Sequence, residues 1–128
     1  MKGPALSDVE AIKTIVRSRF SEIHSIADVA RLAGCSAETI RKDFVRKEHL
    51  RLSSFIARVK VEAAKRMLER TMIACRDVCL GVGFSREEVG ERIFKRHAGI
   101  TMKRYGGLVA KNTRRERHTR IYAAKVNR

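Results

Sequence analysis

The chain has 128 residues, enough for one ordinary domain or two very small ones. Its 29 Lys and Arg against 14 Asp and Glu leave a formal charge of +15, which calls for an anionic partner, nucleic acid before an anionic membrane. No apolar run nears the ~20 residues that span a membrane, the first residues lack a signal-peptide segment, and three cysteines do not make a disulfide framework.

Residues 1–24 read as a loose leader and a first helix. Ser7 and Glu10 have capping-box spacing, and Val9, Ile12, Val16 and Phe20 follow at helical intervals to about residue 21. Residues 25–50 read as two short helices. The first runs from Ile26 to Ala33 after Ser25 and stops at Gly34. Ser36 caps the second, which continues to about Lys47. Val29, Ala33, Cys35, Ile40 and Phe44 supply an inner face, and Ala30 is small where the helices cross. A short turn with Gly between two helices is a helix-turn-helix pattern, although a plain helical hairpin would look similar.

The run from Leu52 to Thr71 contains neither Gly nor Pro and predicts one helix of about twenty residues, roughly 30 Å long. Leu52, Ile56, Val59, Ala63 and Met67 fall on one stripe, with Phe55 at its edge. Val61, Ala64 and Leu68 fall opposite, and Ser54, Arg58, Glu62, Lys65 and Glu69 form a polar flank. Two apolar stripes suggest a helix packed on both sides. Residues 72–105 then repeat the earlier pattern. A helix from Ile73 to Gly81 turns inward Cys75, Val78, Cys79 and, just beyond it, Val82. Gly81 to Phe84 makes the turn, and Ser85 can cap a helix from Arg86 to His97 with Val89, Ile93 and Phe94 inside. Tyr105 can fold back onto this unit.

The stretches SIADVARLAGCSAETIRKDFVRKE, FIARVKVEAAKRMLERT and VCLGVGFSREEVGERIFKRHAGITMKRY together resemble the DNA-binding domain of AraC/XylS-type transcription regulators. The resemblance runs without a gap from about Ser25 to Tyr105. It implies an all-α fold of about seven helices, with two helix-turn-helix subdomains joined by the long helix. It also implies a sequence-specific activator that reads two successive major-groove segments of promoter DNA; the lack of a signal-peptide segment and the cysteine usage lead to the expectation of a bacterial cytoplasmic or nucleoid location. The 5% aromatic share, without Trp, independently disfavours a single-strand binder, which would stack bases on aromatics. The length leaves no room for a separate effector or dimerisation domain, and the starting Met favours a compact single-domain member over an excised piece. A monomer is compatible with this layout.

The expected DNA-binding residues of the first unit are Ser36, Ala37, Glu38, Arg41, Lys42 and Arg46. Arg and Lys at such positions donate to guanine O6 and N7. Asp43 is expected to pair with Lys47. The second unit offers Arg86, Glu87, Glu88, Glu91, Arg92, Lys95 and Arg96, whose carboxylates oppose phosphates. Gly90 stands where the family usually has a bulky apolar residue, which predicts a missing core contact and easier local opening of this helix. Met102 replaces the usual proline, which predicts a looser turn. Residues 106–128, entered through Gly106-Gly107, read as a mobile basic tail. Arg114 and Arg115 there are expected to add electrostatic affinity, with a short helix forming from about Arg114 to Lys125 on binding.

Cys75 and Cys79 fall on the inward face of one helix and read as buried thiols, so no metal or cofactor is expected. No nucleophile–His–acid arrangement stands out, and no enzyme activity is expected. Two other readings fit the residues. One is a non-specific DNA-packaging or nucleoid protein. The other is a protein-interaction module contacting RNA polymerase through its acidic second unit.

Overall fold

A computed structural model describes residues 8–70 and 73–110. All regular structure among them is helical: α1 Val9–Arg19, α2 Ile26–Ala33, α3 Ala37–Glu48, α4 Leu52–Arg70, α5 Cys75–Gly81, α6 Glu87–Ala98, and α7 over residues 102–110. A short 3-10 turn, Phe20–Glu22, follows α1. The all-α, two-unit layout expected from the sequence is the one observed, with the long helix unbroken.

The caps explain most boundaries. Asp8 caps α1, its carboxylate accepting from the Glu10 N–H at 3.0 Å. Ser7, expected in that role, lies outside the described residues. Asp28 reaches back over the start of α2 and accepts from the His24 and Ser25 N–H groups. Gly34 ends α2 in the left-handed region at φ 74°. His49 and Gly99 end α3 and α6 in the same way, at φ 56° and 84°. Two expected starts are corrected. The helix expected from Ile73 begins at Cys75, because Ala74 is still extended. The helix expected to be capped by Ser85 begins at Glu87, with Arg86 in the N-cap position and no side-chain cap bond.

Two cores form. The first gathers Val9, Ile12, Val16 and Ile23 from the α1 region, Val29 and Ala33 from α2, Ile40 and Phe44 from α3, and Leu52, Phe55 and Ile56 from α4. Phe44 and Phe55 meet ring to ring at 5.3 Å between centroids. The second core gathers Val61, Ala63 and Ala64 from α4, with Val78, Cys79, Val82, Phe84, Phe94 and Met102. The two stripes on α4 therefore do not divide as the helical wheel suggests. Its N-terminal half packs into the first core and its C-terminal half into the second, so Ala63 and partly buried Met67 join Val61, Ala64 and Leu68. A wheel projects the helix down its axis and loses position along it.

Three further expectations change. Phe20 starts the 3-10 turn instead of completing the first helix, and its side chain packs on the second core. The connection after α1 thus touches both units. Met102 is fully buried and opens α7, so the proline position holds a core residue and not a loose turn. Gly106 and Gly107 lie inside α7, so the expected boundary at residue 106 falls within a helix. Tyr105 does fold back: its ring meets Phe94 edge-on at 5.7 Å, and its hydroxyl donates to Glu69 at 2.5 Å.

Gly90 is the largest correction. It is buried, and a Cβ built on it would lie 2.7 Å from both the Cys79 Sγ and the Phe84 ring. No missing contact exists there. Phe84 and Cys79 already occupy the volume that a bulky side chain would claim, so the packing argument for easier opening of α6 fails.

Candidate nucleic-acid interface

The two units repeat with an offset of 50 residues through their second helices. Ile40 and Phe44 are buried in α3, as are Gly90 and Phe94 in α6. After each left-handed cap, a new helix opens on a buried apolar residue, Leu52 or Met102. Burial of one face at fixed spacing leaves the other face of each helix in solvent. In α3 that face presents Glu38, Arg41, Lys42, Val45, Arg46 and Lys47. In α6 it presents Glu87, Glu88, Glu91, Arg92, Lys95 and Arg96, with Arg86 exposed just before them.

The start of α3 is held firmly. Ser36 Oγ accepts from the Thr39 N–H at 3.1 Å, and its hydroxyl donates to Thr39 Oγ1 at 2.8 Å. Such a cap contributes about 1 kcal/mol. Ser36 is exposed, whereas Ala37 is half-buried against the first core. Behind α3, Lys13 of α1 pairs with Glu48 at 2.6 Å, which ties the far end of the helix to α1. That partner raises the Lys13 pKa above its ordinary value.

The charges divide unevenly. Lys42 pairs with Glu38 at 3.6 Å. Asp43 pairs with Arg46 at 2.7 Å, not with Lys47 as the sequence suggested. The i,i+3 spacing brings the shorter reach of Asp to the longer fork of Arg. Exposed pairs of this kind are weak, so both cations can exchange to a stronger anion. Arg41 has no carboxylate partner among the described residues, and neither do Arg92, Lys95 and Arg96. Arg41, Lys42, Val45 and Arg46 line an open hollow together with Arg51 and Ser53 from the start of α4. The latter two were not singled out from the sequence, because nothing local places them beside α3. Arg114 and Arg115 lie outside the described residues.

A family profile described as a helix-turn-helix domain matches residues 29–107, more than half of the chain. The chain belongs to the AraC-type helix-turn-helix family. It is accordingly a DNA-binding domain of the transcription-regulator type, not of an enzyme family. The Msm operon regulatory protein of Streptococcus mutans is 21% identical over 104 residues, covering 81% of this chain and 37% of that protein. The chain therefore spans well under half the length of that relative. A transcriptional regulator with an AraC-type DNA-binding domain from Chromobacterium violaceum is similar in fold, with a TM-score of 0.67 at 20% identity, over 84% of this chain and 93% of that one. The DNA-binding domain of AdpA, a global transcriptional factor solved in complex with a target DNA, gives a TM-score of 0.73 at 19% identity, over 90% of this chain and 98% of that one.

The described residues contain no group of three or more His, Cys, Asp or Glu arranged to hold a metal ion. No helix among them is long and apolar enough to cross a membrane. Cys79 is buried, and burial pushes its thiol up to about 11, with the Glu91 and Glu87 charges adding to the effect. Cys75 is raised in the same sense and is half-buried. A thiol-alkylating reagent at pH 8 should therefore modify Cys79 slowest of the three cysteines in native protein. Mass spectrometry of timed samples checks this, and early modification of Cys79 would contradict its placement in the second core.

Proposed function

We propose that this domain reads specific duplex DNA by placing α3 and α6 in two successive major-groove segments. The observation that carries this reading is the repeated exposed face, built on the same buried positions in α3 and α6. The connecting helix suits it. At ~1.5 Å per residue, the 19 residues of α4 extend roughly 29 Å, close to the ~34 Å of one DNA turn. The AdpA domain solved in complex with a target DNA supports DNA as the ligand. Ser36, Glu38, Arg41, Lys42 and Arg46 serve the first segment, with Ala37 packed beneath them. Arg86, Glu87, Glu88, Glu91, Arg92, Lys95 and Arg96 serve the second. The regulatory output we infer is promoter activation, on the family resemblance.

Selection from random duplexes tests the reading. The expected product is a bipartite motif with segments about one turn apart, bound roughly 10³–10⁷ times more tightly than random DNA. An unstructured pool bound with uniform affinity would instead identify a DNA-packaging protein. Within the selected site, Arg41→Ala should cost about 1–3 kcal/mol of discrimination at one base pair. Neutralising Arg114 and Arg115 together should weaken all duplexes alike and lower the salt slope by roughly 2. If neither change alters the specificity ratio, α3 is not the reader.

A second reading rests on the exposed carboxylates Glu87, Glu88 and Glu91, none of which has an ion-pair partner among the described residues. They suit contact with a basic protein surface, RNA polymerase included, as well as cytosine N4. Changing Glu87 and Glu88 to Gln separates the two. Loss of specific DNA binding makes them readers. Loss of activation in a promoter reporter, with DNA binding intact, makes them a protein contact.

A further inference from the structure

Lys60 stands at the middle of α4, where side chains serving the first core give way to those serving the second. The residue is only 4% exposed, which is uncommon for lysine. The ammonium donates to the Gly83 carbonyl oxygen at 2.7 Å and sits 5.4 Å from the centre of the Phe84 ring. The same carbonyl oxygen lies 2.9 Å from His24 Nδ1, which donates to it in the Nδ1–H form. Three segments thus converge on one oxygen: the α1–α2 connection of the first unit, the middle of α4, and the turn before α6. The Gly83 backbone also lies directly against the backbone of Ser21, with no room between them for a side chain.

Burying an ammonium is costly, and an apolar side chain of similar length would fill the space with less desolvation. That cost shows in the lysine itself, whose pKa burial pushes down to about 8, opposed by the nearby Asp28 carboxylate. What the ammonium adds is direction, since a charge-assisted hydrogen bond fixes where the acceptor must lie. The acceptor here belongs to the loop that launches α6.

We propose that Lys60, supported by His24, is a positioning residue that sets the orientation of the second helix-turn-helix relative to the first, and through it the spacing of the DNA segments read by α3 and α6. This rests on the two-segment reading above.

The test uses the full chain and the duplex recovered by selection. Three duplexes are compared: the selected site, the same site with one base pair inserted between its segments, and the first segment alone. Wild-type protein should prefer the selected site over the inserted one. In Lys60→Met that ratio should fall at least tenfold, while affinity for the first segment alone stays within twofold. A merely structural role would weaken all three duplexes together, and that result, or an unchanged ratio in folded Lys60→Met, would overturn the proposal. If Lys60→Met does not fold, the exposed His24→Ala carries the decision. A fall of at least threefold in the ratio supports the clamp, and an unchanged ratio sinks it. If wild-type protein gains nothing from the second segment, the two-segment reading itself fails, and the inference falls with it before any variant is made.

Discussion

Replacing Gly90 by leucine should destabilise the protein by roughly 3 kcal/mol, at the upper end of ordinary overpacking. The first atom of any side chain there would lie 2.7 Å from the Cys79 Sγ and from the Phe84 ring. Neither neighbour is the free end of a flexible chain. Phe84 is 6% exposed and Cys79 is fully buried, so neither can swing into solvent without opening the second core. Even alanine should be destabilising, although it gains about 1 kcal/mol of helix propensity over glycine. The check is thermal unfolding followed by circular dichroism. A midpoint lower by roughly 10 °C is expected for Gly90→Leu, at ~4 °C per kcal/mol, between the values for smaller and larger domains. An unchanged or higher midpoint would mean that the second core holds spare volume after all.

Gly83→Ala should cost about 3 kcal/mol for a different reason. Gly83 sits at φ 92°, where an L-residue is strained, and its added Cβ would lie 2.6 Å from the Ser21 carbonyl oxygen. The atoms it meets are all Ser21 backbone, so relief requires the 3-10 turn to move away from the turn before α6. That movement would also disturb the oxygen held by Lys60 and His24. Gly99 provides the control. It has a similar φ of 84° but nothing within 4 Å of its would-be Cβ. Gly99→Asn should therefore cost only about 1 kcal/mol. Urea titrations of both variants compare the two. Equal losses would place the whole effect in backbone strain and none in the contact with Ser21.

The helices and most of the outward-facing residues were legible because their signals are local. Ser36 before an apolar-periodic run, Gly34 and Gly99 at helix ends, and Ile40 with Phe44 one turn apart each declare themselves within a few residues. The features that escaped depend on distance. His24 and Gly83 are 59 residues apart, and no local pattern announces their contact. Lys60 belongs to neither apolar stripe of α4, and nothing within α4 announces its bond to the turn before α6, 23 residues on. Gly106 and Gly107 have the composition of a hinge, yet α7 continues through them. The meaning of Gly90 depends on what Phe84 does, and a ring's direction is not written in its position. The pairing of Asp43 turned on a choice between two helical spacings that the sequence leaves open.

The contact between Gly90 and Phe84 also bears on how sequences of this shape can vary. In the first unit, Cys35 follows the left-handed glycine and Ile40 is the inward residue of α3. In the second unit, Phe84 follows the glycine and Gly90 is the inward residue. The second unit thus has its large side chain at the turn and its small one on the helix, and the first unit has the opposite order. Positions 84 and 90 are therefore a coupled pair, whose sizes should trade off against each other across any set of sequences that keep this fold. Gly90→Ile alone is a defect, but Gly90→Ile with Phe84→Cys copies the arrangement of the first unit. The pair should recover much of what the single change loses, a non-additivity that measures how far the two units remain variations on one plan.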